Sequence, residues 1–342
     1  MLSRALSEAL AEHPRRGLFS DPLRGLRRVR ALGGELETWV GERPDGSLEL
    51  VRRGAGEAAL ELLLNEVRAA RAVQEPGLAR LLWTARGGDE ELLLGFGWRA
   101  AHALAYPLDL RWLLRSFIAL ARAVAALHRA GLVHADLKPE AVLWAEDPQD
   151  LLLWDLRISQ APGPRAFDAF SARFAAPEQV AGGELGLAVD VYALGVMLYS
   201  LFIRDRFPAI ILPKRAGGGA AGPRQAALSA ITAFGSLDEE PPPAANLSDT
   251  FIPIQEMQQQ VGPPPRPRDD QAILGAKILF AIELERVMDR TADIGVAKEL
   301  LAAIERATAQ KPAQRFPDAA AFAEELAKLL ALAEEVSAGG GS

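Results

Sequence analysis

The chain of 342 residues contains no cysteine. A disulfide framework and a thiolate metal site are therefore both excluded, and nothing in the composition requires an oxidising compartment. A cytoplasmic location fits this composition best. Apolar residues make up 49% and charged residues 24% of the chain, which is the balance of a globular protein rather than of a disordered one. We therefore expect a folded chain that buries a sizeable core.

Long apolar runs are also missing. The longest run, 189–203, is shorter than the roughly 20 residues that cross a bilayer, and it contains Asp190 and Tyr192. This run predicts a buried core helix. Residues 1–16 include acidic side chains and paired arginines without a continuous apolar core, which is unlike a signal peptide. We expect no membrane span and no secretion.

The sequence has no surplus of positive charge, since its formal net charge is -7 at pH 7. That balance argues against a nucleic-acid partner, which is held mainly through its phosphate backbone. One local basic cluster is present, and we interpret it as a solvated strand edge in preference to an anion site. The cluster consists of Arg24, Arg27, Arg28 and Arg30.

The first part of the chain predicts a small sheet with one helix. Residues 26–53 alternate apolar and polar side chains around a Pro-Asp-Gly turn, which is typical of a β-hairpin. Apolar residues at helical spacing predict a helix at 58–73. Two further apolar runs, 78–84 and 91–98, are separated by a glycine pair and predict a second hairpin.

The second part of the chain is predicted to be mainly helical. It begins with a predicted helix at 110–130 and contains two predicted short strands at 141–144 and 151–154. Residues 206–270 are rich in glycine and proline, and we interpret them as an insertion or linker. Helical periodicity returns at 271–332.

One segment carries a recognisable catalytic motif. Residues 127–139 read Leu-His-Arg-Ala-Gly-Leu-Val-His-Ala-Asp-Leu-Lys-Pro. This segment resembles the catalytic loop of eukaryotic-like (Hanks-type) serine/threonine protein kinases of bacterial style. Further motifs of that family follow in the family's order, which makes coincidence negligible. They are Asp155-Leu156-Arg157 in place of Asp-Phe-Gly, Ala176-Pro177-Glu178, the helix start at Asp190, and Arg315, the expected partner of Glu178.

The resemblance implies an α+β, bilobal protein-kinase fold, with a small β-rich N-lobe that carries one helix and a larger, mainly helical C-lobe. We expect an N-terminal extension at 1–20, the N-lobe at 21–103 and the C-lobe at 104–337. The insertion 206–270 interrupts the C-lobe, and 338–342 form a linker or tail.

The resemblance also implies roles for individual residues. Asp136 would be the catalytic base that accepts the proton of the substrate hydroxyl, Lys138 would face the transferred phosphate, and Asp155 would bind the metal ion. A purely structural role for Asp136 and Lys138, as hydrogen-bond partners within the loop, remains open. The structural residues of the family are matched by His134, Glu178, Asp190 and Arg315.

Several family positions are replaced. The second metal ligand, an asparagine five residues after the catalytic aspartate, is Ala141, whose methyl group offers no lone pair. The neighbouring Glu140 would help only if the loop changed course. We therefore expect the binding of ATP and magnesium to be weak or absent.

Residues 33–40 match the glycine-rich loop of the family. Two of the residues that the resemblance implies to contact nucleotide are retained, Gly33 and Val40. Glu35 and Thr38 replace two glycines that let the backbone approach phosphate. Glu35 and Glu37 would also repel a polyphosphate by about 1 to 4 kcal/mol per close pair.

The lysine of the third strand has no clear counterpart, and Arg52 is the best substitute. Because a planar guanidinium does not replace an ammonium at a tight phosphate site, Arg52 compensates only in part. Its expected partner is Glu66 on the following helix. A purely structural strut is the favoured interpretation of this pair over a nucleotide-binding one.

Two replacements affect regulation. The arginine that reads an activation-loop phosphate in the family is Ala135 here, so switching by phosphorylation is not expected. The family's Gly-Thr-Pro-x-Tyr before Ala-Pro-Glu is replaced by Phe170-Ser171-Ala172-Arg173-Phe174, in which Ser171 remains able to hydrogen-bond Asp136.

We interpret the chain as a catalytically impaired pseudokinase that acts as a scaffold or allosteric regulator in signalling. The alternative is an active but slow serine/threonine kinase. A small-molecule kinase of the aminoglycoside or choline type is a third class, and the matches at Glu178 and Arg315 argue against it. Protein partners are expected, with the insertion 206–270 as a candidate contact because its proline runs favour extended geometry.

Overall fold

The structure is a computed structural model that describes residues 23, 25–31, 36–88, 90–98, 110–145, 147–167, 169–171, 173–202 and 293–339. The predicted N-terminal extension 1–20 and the insertion 206–270 lie outside these residues.

A five-stranded antiparallel sheet forms the first lobe, as the sequence predicts. Its strands are β1 (Arg27–Ala31), β2 (Glu37–Glu42), β3 (Leu48–Ala55), β4 (Leu81–Gly88) and β5 (Glu91–Trp98). They lie in the order β1-β2-β3-β5-β4. Strand β4 starts and ends later than predicted and includes the glycine pair, because Gly88 pairs with Glu91 across the hairpin.

Helix α1 (Glu57–Ala72) packs on this sheet. The buried residues of α1 recur at helical spacing, as in Leu60, Leu63, Leu64 and Val67. Gly54 lets the helix approach closely, since a Cβ at that position would lie 2.9 Å from Leu36 and 3.0 Å from Leu63. The helix thereby holds Glu66 against strand β3.

The second lobe is mainly helical. Its helices are α2 (Leu110–Arg129), α3 (Pro177–Val180), α4 (Ala188–Phe202), α5 (Asp293–Ala307) and α6 (Ala319–Gly339). Strands β6 (Val142–Leu143) and β7 (Leu152–Leu153) form a short antiparallel hairpin beside the catalytic loop. Helix α2 packs mainly against α6.

Further element boundaries differ from the sequence prediction: α1 spans Glu57–Ala72 instead of 58–73, and β7 spans Leu152–Leu153 instead of 151–154. Ala141 belongs to a 3-10 turn (Pro139–Ala141), so β6 starts one residue later than predicted. Helix α6 continues to Gly339, into the predicted tail, because the alanine and glutamate residues at 333–335 favour a helix. Among the described residues, no helix combines the length and apolar character needed to cross a bilayer.

Candidate active site

The loop after α2 is fixed by one buried carboxylate. Asp190, at the start of α4, accepts hydrogen bonds from the backbone N–H of His134 at 2.8 Å and of Ala135 at 3.0 Å. Ala135 adopts a φ of 68°, which a residue with a Cβ rarely occupies. The two amide contacts offset this strained conformation and set the direction in which the next residue, Asp136, leaves the loop.

Two histidines brace the same loop. His134 Nε2 lies 3.2 Å from the carbonyl oxygen of Trp154, and its Nδ1 lies 3.3 Å from the backbone nitrogen of Asp136. A neutral ring with its proton on Nε2 satisfies both contacts. His128 lies 3.0 Å from Asp190 Oδ2 and accepts from the backbone N–H of Ala319, which ties α2 to α4 and α6.

Asp136, Lys138 and Ser171 form one buried cluster. Lys138 Nζ lies 2.5 Å from Asp136 Oδ2 and 3.2 Å from Ser171 Oγ. The other carboxylate oxygen of Asp136 accepts a hydrogen bond of 2.7 Å from the backbone N–H of Ser171. The structure therefore places the candidate base and the candidate phosphate-facing lysine side by side. Here Ser171 contacts Asp136 through its backbone, while its hydroxyl faces Lys138.

Arg52 on β3 and Glu66 on α1 form a buried ion pair. Arg52 Nη1 lies 2.8 Å and 2.7 Å from the two oxygens of Glu66, and both side chains are almost fully buried. The predicted pairing is therefore present. Burial raises the pKa of Glu66 more than its attraction to Arg52 lowers it. The pair joins the sheet to the helix.

Asp155 lies between two arginines. Its Oδ1 atom is 2.9 Å from Arg52 Nη2 and 3.2 Å from Arg157 Nε, and the side chain is 6% exposed. Burial alone would raise the pKa of Asp155, but Arg157, Arg52 and Lys138 together hold it well below its ordinary value. The φ of Asp155 is 67°, a second strained residue at this site.

An aromatic pair covers the arginine. The Arg52 guanidinium lies 4.7 Å from the centre of the Trp154 ring, and Trp154 meets Trp98 edge to face at 5.5 Å. Such stacking stabilises a cation and fixes its plane. Both tryptophans are only partly buried, so this side of the site borders solvent.

The residues present do not fit a magnesium ion. Magnesium requires several oxygen ligands in octahedral arrangement. The Ala141 side chain is fully buried and has no ligand atom, and Asp155 is held by two cations instead. Among the described residues, no group of three histidine or acidic side chains is placed to hold a metal ion.

The glycine-rich loop is described only from Leu36 onward, and Gly33 and Glu35 lie outside the described residues. Leu36 is 1% exposed in the core, and Thr38 donates a hydrogen bond of 3.1 Å to the Leu36 carbonyl oxygen. Val40 is buried in the same core.

The predicted repulsion of phosphate by Glu37 is reduced by ion pairs that the sequence did not indicate. Glu37 lies 2.9 Å from Arg28 Nη1 and 3.4 Å from Arg53 Nη1, because β2 pairs with its neighbouring strands.

The ion pair predicted between Glu178 and Arg315 is present. Arg315 Nη1 and Nη2 donate to the two oxygens of Glu178 at 2.6 Å and 2.8 Å. The same guanidinium donates to the carbonyl oxygens of Ala188, Ala309 and Gln310. This one side chain therefore links α3, α4 and the turn before α6.

Three residues that contact the site were not predicted as site residues from the sequence. Arg157 stands where the family has glycine, Trp154 precedes Asp155, and Asn65 donates to the carbonyl oxygens of Arg157 and Ser159 at 2.9 Å each. A charged side chain in place of glycine beside the metal-binding aspartate was the available signal for Arg157. Nothing in the sequence indicated the contact of Asn65.

A bilobal fold with this loop, this strand-helix ion pair and this carboxylate defines a protein kinase domain. The family described as "Protein kinase domain" matches residues 108–250. Serine/threonine-protein kinase PknL of Mycobacterium tuberculosis is 39% identical over 83 residues, which cover 23% of this chain and 21% of the relative. Calcium/calmodulin-dependent protein kinase type 1 of Macrobrachium nipponense is 28% identical over 167 residues, which cover 45% of this chain and 48% of the relative.

The chain thus spans about half or less of the curated relatives it matches. The family match and the two relatives support a eukaryotic-like (Hanks-type) serine/threonine protein kinase.

Proposed function

We propose that the chain is a catalytically impaired kinase domain, a pseudokinase of bacterial style, that acts in the cytoplasm as a scaffold or allosteric regulator in signalling. The observation that carries this proposal is the contact of Asp155 with Arg52 and Arg157. Phosphoryl transfer depends on cations that bridge the phosphates and on correct positioning. The carboxylate that would hold such a cation is already neutralised here.

The contacts around Asp155 also support a scaffold role. The Arg52–Glu66 pair, the Arg52–Asp155 contact and the Asn65 side chain together fix helix α1 against the segment that follows β7. A helix fixed in this way needs neither nucleotide nor phosphorylation to reach its position, which suits a surface that partners recognise. Protein partners, with contacts through the insertion 206–270, are part of this proposal.

An active but slow serine/threonine kinase is the second candidate, and one observation favours it. Asp136, Lys138 and Ser171 lie within hydrogen-bond distance of one another, as a base and a phosphate-facing cation require. A structural function of this cluster accounts for the same distances, because each polar atom is buried and hydrogen-bonded.

Nucleotide binding with and without magnesium tests the proposal. Millimolar ATP with magnesium is expected to stabilise the chain little in thermal unfolding. A ligand at about 100 times its dissociation constant would add about 2.7 kcal/mol, which is readily measured. A clear stabilisation that requires magnesium would overturn the proposal in favour of the slow kinase.

A further inference from the structure

We propose that Arg157 takes the place of a metal ion beside Asp155, so that the site accepts a nucleoside phosphate in its metal-free form. This inference rests on the proposed function and specifies its ligand. It starts from one atom, Asp155 Oδ1, which lies 2.9 Å from Arg52 Nη2 and 3.2 Å from Arg157 Nε. A divalent cation at this oxygen would have to displace two guanidinium groups or lie against them.

The charges around Asp155 balance. The cations Arg52, Lys138 and Arg157 lie among the carboxylates of Glu66, Asp136 and Asp155, and all six side chains are buried. Magnesium binds through one or two carboxylates together with nucleotide phosphates, and here the candidate carboxylate, Asp155, already contacts two guanidinium groups. Arginine, by contrast, presents its donors as a planar fork that can engage a carboxylate and a phosphate group together.

The aromatic side of the site favours a nucleoside phosphate over a simple phosphate as the ligand. Trp154 stacks on Arg52 at 4.7 Å and contacts Trp98 edge to face at 5.5 Å, and both rings are partly exposed. An aromatic ring of this kind offers a stacking platform to any nucleobase. A base on Trp154 would bring its phosphates close to Arg52, which contacts both Trp154 and Asp155.

The test is calorimetric titration of the full chain with ATP, once in EDTA and once with excess magnesium, with inorganic phosphate as a further ligand. We expect ATP to bind in EDTA and magnesium to weaken that binding. Inorganic phosphate is expected to bind more weakly than ATP, because it lacks the base. Tighter binding with magnesium would overturn both this inference and the proposed function. An absence of ATP binding in EDTA at millimolar concentration would overturn this inference alone.

Substitutions of Arg157 test whether this side chain contributes to the binding of metal-free ATP. Arg157→Gln is expected to raise the Kd for ATP in EDTA about tenfold or more, since it removes a charge-assisted contact. Arg115→Gln is the matched control, because Arg115 is 52% exposed and pairs with Glu334, outside the site. Arg157→Lys keeps the charge and is expected to retain part of the affinity. Equal Kd values for Arg157→Gln and Arg115→Gln would overturn the assignment of Arg157.

Discussion

Replacing Arg315 by alanine is expected to lower the free energy of unfolding by about 3–5 kcal/mol, because the largely buried carboxylate of Glu178 is left without its positive partner. The Arg315 side chain is 0% exposed and that of Glu178 is 18% exposed. The substitution removes two charged contacts to Glu178 and leaves the carbonyl oxygens of Ala188, Ala309 and Gln310 without this donor. It also removes the contact of the guanidinium with the Tyr192 ring at 4.9 Å.

A milder substitution at the other end of the pair should cost less. Glu178→Gln keeps an acceptor for Arg315, so we expect a loss of about 1–3 kcal/mol. Equilibrium unfolding in urea measures both values, and the double variant gives the coupling free energy. The matched control is Arg115→Ala, since Arg115 and Glu334 pair at 2.7 Å with side chains 52% and 49% exposed. An exposed pair of this kind contributes about 0–1 kcal/mol. A loss for Arg315→Ala no larger than that of the control would refute the buried-pair reasoning.

Three further predictions concern the site and the insertion. Arg52→Lys is expected to destabilise the chain by about 1–3 kcal/mol in urea unfolding, because an ammonium cannot bridge Glu66 and Asp155 and stack on Trp154 at once. Arg53→Lys, at an exposed neighbouring position, should change stability by about 0.5 kcal/mol or less, and equal effects would contradict the assignment. The pKa of Asp155 is lower in the folded chain than the value of about 3.9 that an aspartate has in the unfolded chain. Its ion pairs therefore stabilise the fold fully above about pH 3.9, and this stabilisation is lost as the pH falls toward the pKa of Asp155 in the folded chain. The stability advantage of the unmodified chain over Asp155→Asn should therefore be constant from about pH 5 to 7 and shrink below about pH 4; a decline already near pH 6 would argue against these ion pairs. Replacing residues 206–270 by a short Gly-Ser linker should leave thermal unfolding cooperative but weaken the capture of a protein partner in a pull-down. Undiminished capture would show that the insertion is only a spacer.

The strands, helices and family motifs of this domain could be predicted from the sequence wherever a residue pattern is compatible with a single local structure. The alternation at 26–53 gives the sheet, the spacing of Leu60, Leu63 and Val67 gives helix α1, and the family motifs locate Glu178 and Arg315 before their contact is seen. In each case a local period or a motif of fixed order limits the possible arrangements.

The details of the site depend on contacts between distant segments, which no local pattern encodes. Arg157 lies in the replaced glycine position, but the sequence indicated neither its distance of 3.2 Å to Asp155 nor the φ of 67° at Asp155. Glu37 pairs with Arg53 because the register of β2 and β3 places these two residues opposite each other, and a slip of one residue would separate them. For this reason the sequence indicated which residues were replaced and left open what the replacements do.

Transfer of the labelled γ-phosphate of ATP tests the central claim most directly. The full chain is incubated with magnesium and ATP, alone and with generic serine- and threonine-containing protein substrates, beside the Asp136→Asn variant. Because Asp155 is held by Arg52 and Arg157, we predict no incorporation above that of Asp136→Asn. Incorporation by the unmodified chain that Asp136→Asn abolishes would contradict the account and identify an active kinase.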